Sequence, residues 1–195
     1  LETMTRQEAL QTLQVYTKSQ NLIRHHYAVE ASMRAICRVY NARTKAFVNE
    51  EWWAIAGLLH DADYELTRNT PEKHAMYLEE KIGKVIPKEV MYAIKAHNYK
   101  YTGVTPLSAM DWALYTCDEL TGFIIACGLE QKEKRLNLVT VDLVIKKLAD
   151  QKFAKSVDRA QIVACEQKLG LSLREFIGIV LAAMQAIAID LGFEA

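Results

Sequence analysis

Residues 105–128 read TPLSAMDWALYTCDELTGFIIACG, and this stretch contributes most to the fold prediction. The pattern predicts a long buried helix that begins around Thr105–Pro106 and ends at Gly128, a natural C-terminal cap with positive φ. One carboxylate, Asp118, lies on the same predicted face as Leu114. Because an unpaired buried carboxylate is costly, Asp118 is expected either to be hydrogen-bonded to a tyrosine or threonine or to bind a metal ion.

Helix signals of the same kind recur along the rest of the chain, whereas no alternating segment with hairpin turn chemistry occurs. The sequence therefore predicts an all-α fold in a single domain, residues 1–195, with the C-terminal helices 140–191 packing on the core. Capping residues and apolar spacing predict further helices from Thr5 to near Ser19, across Val29–Tyr40, across Glu50–His60, from Pro71, from Pro87 to near His97, and across Thr140–Leu148, Asp158–Lys168 and Ser172–Leu191.

Composition excludes several classes of protein. The 195 residues are 51% hydrophobic, which excludes disorder as the main state. The 24 basic residues balance the 24 acidic ones, so no overall field attracts nucleic acid or anionic lipid. The longest charge-free apolar stretch, Phe176–Ile189, is too short to cross a bilayer, so we expect no membrane segment.

Cysteine usage and the first residues predict a compartment. Cys37, Cys117, Cys127 and Cys165 show no spacing typical of a zinc ribbon or a disulfide scaffold. The first residues lack the apolar run of a secretory signal, and Leu1–Thr3 are interpreted as a cloning remnant before Met4. A reduced, cytoplasmic protein is expected.

Four of the five histidines lie at predicted helix ends or on apolar faces. His25 shares a face with Val29, His60 and Asp61 close a helix, His74 is expected in the first turn of the helix from Pro71, and His97 ends another. Each alone is more often a hydrogen-bonded core histidine than a ligand. His26 is rotated away from its neighbour and is expected at the surface or beside a site. Together, nitrogen and carboxylate ligands suit Zn, Mn, Fe, Ni or Co better than a thiolate site would.

The ordered set His25, His60-Asp61, His74, His97 and Asp118 resembles the HD-domain superfamily of metal-dependent phosphohydrolases. Residues 58–65 (LLHDADYE) and 118–124 (DELTGFI) are similar to small bacterial stand-alone members, as is the tail over residues 152–159. The Gly-Tyr-Pro signature of cyclic-dinucleotide phosphodiesterases is absent, and Ala62 replaces the hydrophobic residue frequent after the pair. Cyclic dinucleotides are therefore not predicted as substrates.

The resemblance implies a helical bundle with the metal site among inner helix faces. His25, His60, Asp61 and Asp118 would bind one metal, and His74 and His97 would complete a second site, with Asp61 bridging the two. The cofactor would be one or two divalent ions of Mn, Fe, Ni, Co, Zn or Mg, and Asp61, together with a metal-activated water, would be catalytic.

Three functions follow as hypotheses. The first is hydrolysis of a phosphomonoester or phosphodiester, with nucleotides among the candidates, so that the expected partner is a small phosphate ester. The second is a di-iron oxygenase, because the myo-inositol oxygenase group shares the same ligand order, and the third is a non-catalytic sensor or assembly module.

Several polar residues outside this set have two open interpretations. Asp63 and Glu65 have a functional interpretation, in which they orient the ligands or transfer protons. In the other interpretation they belong to a surface turn that ends the helix. The following cations would either meet phosphate oxygens or belong to a solvated face: Lys73, Lys95, Lys100, Lys155 and Arg159.

Overall fold

The computed structural model describes residues 4–194, and in this range the chain forms helices and no strand. The all-α prediction is confirmed. Leu1–Thr3, with the prediction of a cloning remnant, and Ala195 lie outside the described residues. The helices are α1 (Arg6–Tyr16), α2 (Gln20–Thr44), α3 (Glu50–Leu59), α4 (Tyr64–Thr67), α5 (Met76–Ile82), α6 (Lys88–His97), α7 (Tyr99–Thr102), α8 (Ala109–Leu129), α9 (Val141–Ala149), α10 (Arg159–Leu169) and α11 (Leu173–Gln185), with 3₁₀ turns at Pro71–Lys73 and Leu136–Leu138.

The core is built around α2, α3 and α8. Helix α3 lies directly on α2 at Gly57, where an added Cβ would be 2.9 Å from the carbonyl oxygen of Val29. A glycine is needed at this point because the two backbones are in contact. The other long helices surround this centre, and the largest fully buried side chains include Met33, Leu58, Phe123 and Phe176.

Helix α8 begins and ends later than the sequence predicts. It starts at Ala109 rather than at Thr105–Pro106, because Ser108 forms a reciprocal capping box with Asp111. It continues past Gly128 to Leu129, and Gly128 has no positive φ. The glycine instead permits close packing, since an added Cβ would lie 2.7 Å from the ring of Phe193.

The segment that carries His74 is not the helix predicted from Pro71. Pro71–Lys73 is a single 3₁₀ turn, His74 is extended (ψ 134°), and Ala75 has a φ of 69°. Helix α5 starts only at Met76. The bend exists because backbone N–H groups of this segment donate to a buried carboxylate from another part of the chain, described below.

Two other helices are shorter than predicted. Helix α1 ends at Tyr16, since the N–H groups of Lys18 and Ser19 donate to the carboxylate of Glu65. Helix α11 ends at Gln185 rather than at Leu191, and short turns follow as far as Gly192. In the described residues, no helix is long and apolar enough to span a membrane.

The loop before α10 is held by one arginine. The guanidinium of Arg159 donates to the carbonyl oxygens of Leu148, Asp150 and Phe153. Asp158 caps α10 by accepting from the N–H groups of its first turn. Arg159 is therefore used for loop structure and is not free to bind a phosphate.

Candidate metal centre

Five separate segments place the six predicted ligands in one region. His25 lies on α2, His60 and Asp61 follow α3, and His97 is the last residue of α6. The remaining two are His74, at the bend before α5, and Asp118, in the middle of α8. The ligand atoms fall into two groups of three, and the atoms within each group lie within 4.8 Å of one another.

The first group consists of His25, His60 and Asp118. The Nε2 atom of His25 is 2.9 Å from Oδ1 of Asp118 and 3.2 Å from Nε2 of His60. His60 is completely buried. Two imidazole nitrogens and one carboxylate oxygen thus converge on one point, which is a donor set suited to a borderline divalent ion.

The second group consists of Asp61, His74 and His97. Oδ1 of Asp61 is 2.9 Å from Nε2 of His74 and 3.3 Å from Nε2 of His97. The two imidazole nitrogens are 3.2 Å apart. The donor set is the same as in the first group.

Asp61 joins the two groups. While Oδ1 faces His74 and His97, its second oxygen, Oδ2, lies 3.6 Å from Nε2 of His60. One carboxylate therefore directs one oxygen into each group. This geometry could hold two ions close together with a shared ligand.

The four histidines are oriented by hydrogen bonds at Nδ1, so that Nε2 faces the group in each case. A carbonyl oxygen can only accept, so Nδ1 must donate where the partner is a carbonyl, and in the neutral ring the lone pair is then on Nε2. The Nδ1 partners are Gly57 O for His60 (2.8 Å), Ile94 O for His97, Asp63 Oδ1 for His74 (2.7 Å) and Thr121 Oγ1 for His25 (3.5 Å). This outer hydrogen bonding is typical of metal-binding histidines.

Asp63 is completely buried and orients His74. Besides the His74 ring, it accepts from the backbone N–H groups of Ala75 and Leu78, at 3.0 Å each to Oδ2. Of the three roles open for Asp63, ligand orientation fits these contacts, and a surface turn does not because the side chain is buried. The carboxylate of Glu65 instead accepts hydrogen bonds from the backbone N–H groups of Lys18 and Ser19, between α1 and α2.

Replacing Asp63 by asparagine is expected to weaken the second group selectively. The amide keeps the size but loses the charge and one acceptor, so the His74 ring is no longer fixed. Loss of such an outer partner typically costs about 10- to 100-fold in metal affinity. Metal titration by calorimetry should show the loss, with Asp111→Asn as the control, because Asp111 is another buried capping carboxylate and contacts none of the ligands. Equal metal loss in both variants would contradict the role of Asp63.

The charges in the site shift the pKa values of its members. Burial alone would lower the pKa of His60, but the charges of Asp61 and Asp118 outweigh it and raise this pKa to about 9. The pKa of His74 is raised to about 10, because its bonds to Asp61 and Asp63 likewise outweigh burial. Burial would raise the pKa values of Asp61 and Asp118, but the neighbouring histidines lower both.

These shifts predict how stability depends on pH. In chelator-treated protein, the raised pKa values of His60 and His74 stabilise the fold below the unfolded value of about 6.5. This contribution is lost as the pH rises through about 9 to 10. A bound divalent ion requires neutral imidazoles, so its stabilisation grows over the same interval. We expect the difference in Tm between metal-loaded and chelator-treated protein to be larger at pH 8.5 than at pH 6, as measured by thermal denaturation. A difference that shrinks with pH would contradict this.

His26 lies beside the site, and the alternative prediction that it lies at the surface is wrong. Its ring is fully buried, 5.3 Å from that of His60. Neither ring nitrogen has a hydrogen-bond partner among the described residues. Burial, helped by the charge of His60, lowers the pKa of His26 well below its usual value, so the ring packs in its neutral form.

A pocket of about 250 Å³ opens onto both groups. Of the five candidate cations, Lys100 lines it, whereas Lys95 is paired with Glu79 at 2.6 Å. Lys73 and Lys155 are exposed and do not line it. The pocket also brings in five residues that were not among the predicted site residues, although Tyr115 shares a helix face with Asp118 and Tyr64 and Glu119 lie within the two segments that resemble the family. These are Tyr64, Asn98, Tyr115, Glu119 and Gln161.

The fold and the paired groups define an all-α protein with a candidate two-ion centre of histidines and aspartates. A family model described as HD domain matches residues 22–151, about two thirds of the chain. The chain belongs to the HD-domain family. No curated protein and no solved structure gave a significant match.

Proposed function

We propose that this protein is a metal-dependent phosphohydrolase that cleaves a phosphomonoester or phosphodiester. The observation that carries the proposal is the position of Asp61, whose two oxygens face the two separate ligand groups. Membership of the HD-domain family supports it, because most members are metal-dependent hydrolases.

The residues present fit a pair of divalent ions. His25, His60 and Asp118 would hold one, His74 and His97 would hold the other, and Asp61 would be shared. Bound there, such ions would lower the pKa of a water molecule and neutralise the oxygens of a phosphoryl group. The metal could be Mn, Fe, Ni, Co, Zn or Mg.

The protein's own contribution is to orient these groups and to limit water. Hydrogen bonds at Nδ1 fix each imidazole before a ligand arrives, which reduces the reorganisation needed during the reaction. Four of the ligands, Asp61, His74, His97 and Asp118, lie on the walls of a small pocket, so a phosphate ester would approach from one side. The four cysteines are all buried and free, which supports a reducing compartment, and we propose the cytoplasm as the location.

The test combines elemental analysis with a substrate panel. Protein purified without chelator is expected to contain one or two divalent ions per chain. It is expected to release phosphate or alcohol from at least one of p-nitrophenyl phosphate, bis(p-nitrophenyl) phosphate and a set of nucleotides, with activity lost on chelation and restored on reloading. The matched control is Asp142→Asn, since Asp142 is an exposed carboxylate on α9 that pairs with Arg174 and does not line the pocket.

Other outcomes would favour the other two functions. About two iron atoms with consumption of oxygen and no hydrolysis would replace the proposal by a di-iron oxygenase. Full metal loading without turnover of any panel member would favour a non-catalytic sensor or assembly module.

A further inference from the structure

One residue that lines the pocket, Gln161, lies outside the family match and is held there by a helix that also brings Asp158 next to the pocket. Gln161 lies on α10 and lines the pocket, and Asp158 is the N-cap of that helix. Both follow residue 151, where the match to the HD domain ends. Asp158 contacts two further lining residues: its Oδ2 accepts from Nζ of Lys100 at 3.0 Å, and its N–H donates to Oε2 of Glu119 at 3.1 Å.

The charged residues here that do not belong to the ligand groups, Lys100, Glu119 and Asp158, carry no surplus positive charge. Lys100 is the one lysine or arginine among the residues that line the pocket in the described chain. Its charge is paired with that of Asp158, whose Oδ2 lies 3.0 Å from Nζ of Lys100. Glu119 adds a carboxylate next to Asp118. Outside the two ligand groups, the pocket therefore has no surplus positive charge.

This lack of surplus positive charge limits the number of phosphoryl groups that a substrate can carry. One phosphoryl group placed between two divalent ions has its negative charge neutralised there. Each additional phosphoryl group brings further negative charge and needs its own cations, which polyphosphate-binding sites supply as lysines, arginines or backbone N–H groups. Here, a second phosphoryl group would meet Glu119 and a lysine that Asp158 already neutralises.

The size of the pocket also favours a substrate with a single phosphoryl group. Its volume of about 250 Å³ is below the roughly 300–1,000 Å³ of common ligand pockets. A single phosphoryl group with a small or outward-projecting leaving group fits this volume better than a chain of phosphates does.

We propose that the site selects substrates with a single phosphoryl group, whether monoesters or diesters, and that Asp158 and Glu119 disfavour diphosphates and triphosphates. The inference rests on the proposed function and narrows it to a substrate class. Asp158 acts through Lys100, so it is a positioning residue rather than a catalytic one.

The test compares orthophosphate with pyrophosphate on the metal-loaded protein. Each is measured by calorimetric binding and as an inhibitor of p-nitrophenyl phosphate hydrolysis. Pyrophosphate is expected to bind about tenfold or more weakly, because like charges placed together are strongly unfavourable. In Asp158→Asn, the preference for orthophosphate should shrink several-fold, since Lys100 is released. Asparagine keeps the helix cap, so α10 should stay folded.

Asp142→Asn is the matched control, because it also removes a carboxylate paired with a cation, here Arg174, away from the pocket. Pyrophosphate in solution also captures metal ions, but it does so equally for both variants. A difference between Asp158→Asn and Asp142→Asn in the preference for orthophosphate therefore reports on the carboxylate beside Lys100. Pyrophosphate binding as tightly as orthophosphate, or an equal response of the two variants, would overturn the inference while phosphate ester hydrolysis still stood. Absence of both orthophosphate binding and ester hydrolysis would instead overturn the proposed function.

Discussion

Replacing Asp61 by alanine is expected to remove the function of both ligand groups at once. Oδ1 of Asp61 is 2.9 Å from His74, and Oδ2 is 3.6 Å from His60, so the change deletes one carboxylate oxygen from each group. It also removes from His60 and from His74 one of the two carboxylate charges that raise their pKa values. The remaining imidazoles therefore hold a cation less well and repel one another when protonated.

The expected loss of activity in Asp61→Ala is large. The charge stabilisation from such ions is worth several kcal/mol, so kcat/KM should fall by about 10³-fold or more. Elemental analysis should show that the purified variant has lost most of its metal. The comparison variant is Asp118→Ala, which removes a ligand from the first group alone and should leave one ion bound. Retention of two ions and of activity by Asp61→Ala would contradict the bridging role.

Replacing Gly57 by alanine is expected to destabilise the protein and to disturb the site from a distance. The new Cβ would lie 2.9 Å from Val29 O and 3.0 Å from the N atom of Glu30, both of which are backbone atoms of α2. Backbone cannot move aside as a side chain can, so α3 must shift. Overpacking of this kind typically costs about 1–3 kcal/mol of unfolding free energy.

The same shift should reach the metal centre. The carbonyl oxygen of Gly57 accepts the Nδ1 hydrogen of His60, so moving α3 turns that imidazole away from His25 on α2. We expect a lower denaturation midpoint and weaker metal binding, as measured by chemical denaturation and calorimetry.

Replacing Gly122 by alanine is the matched comparison, and it is expected to change the stability of the protein in the opposite direction. Gly122 lies inside α8, and an added Cβ there would meet nothing within 4 Å. Alanine should therefore stabilise this helix by roughly 0.5–1 kcal/mol. If both variants shifted stability in the same direction by similar amounts, the close approach of α2 and α3 would not be what requires Gly57.

The sequence by itself determined the helical character of the chain and the identity of the residues that meet in the centre. Helix signals are local: apolar spacing and capping residues place α6, α9 and α10 within a few residues of their positions. Each of the six predicted ligands is a histidine or carboxylate at a predicted helix end or on an apolar face, where burial needs a compensating partner. Their assignment as one ligand set came from the ordered resemblance to the HD-domain superfamily.

Only the tertiary structure decided how these residues are used. Asp63 bends the chain at Ala75 and orients His74 through bonds that reach 11 to 15 residues along the sequence. Asp158 approaches Lys100 and Glu119 across 58 and 39 residues. Local spacing carries no information about such pairs, because their energies depend on which helices pack together. For the same reason, the ends of α1 and α11 and the walls of the pocket are properties of the packed chain.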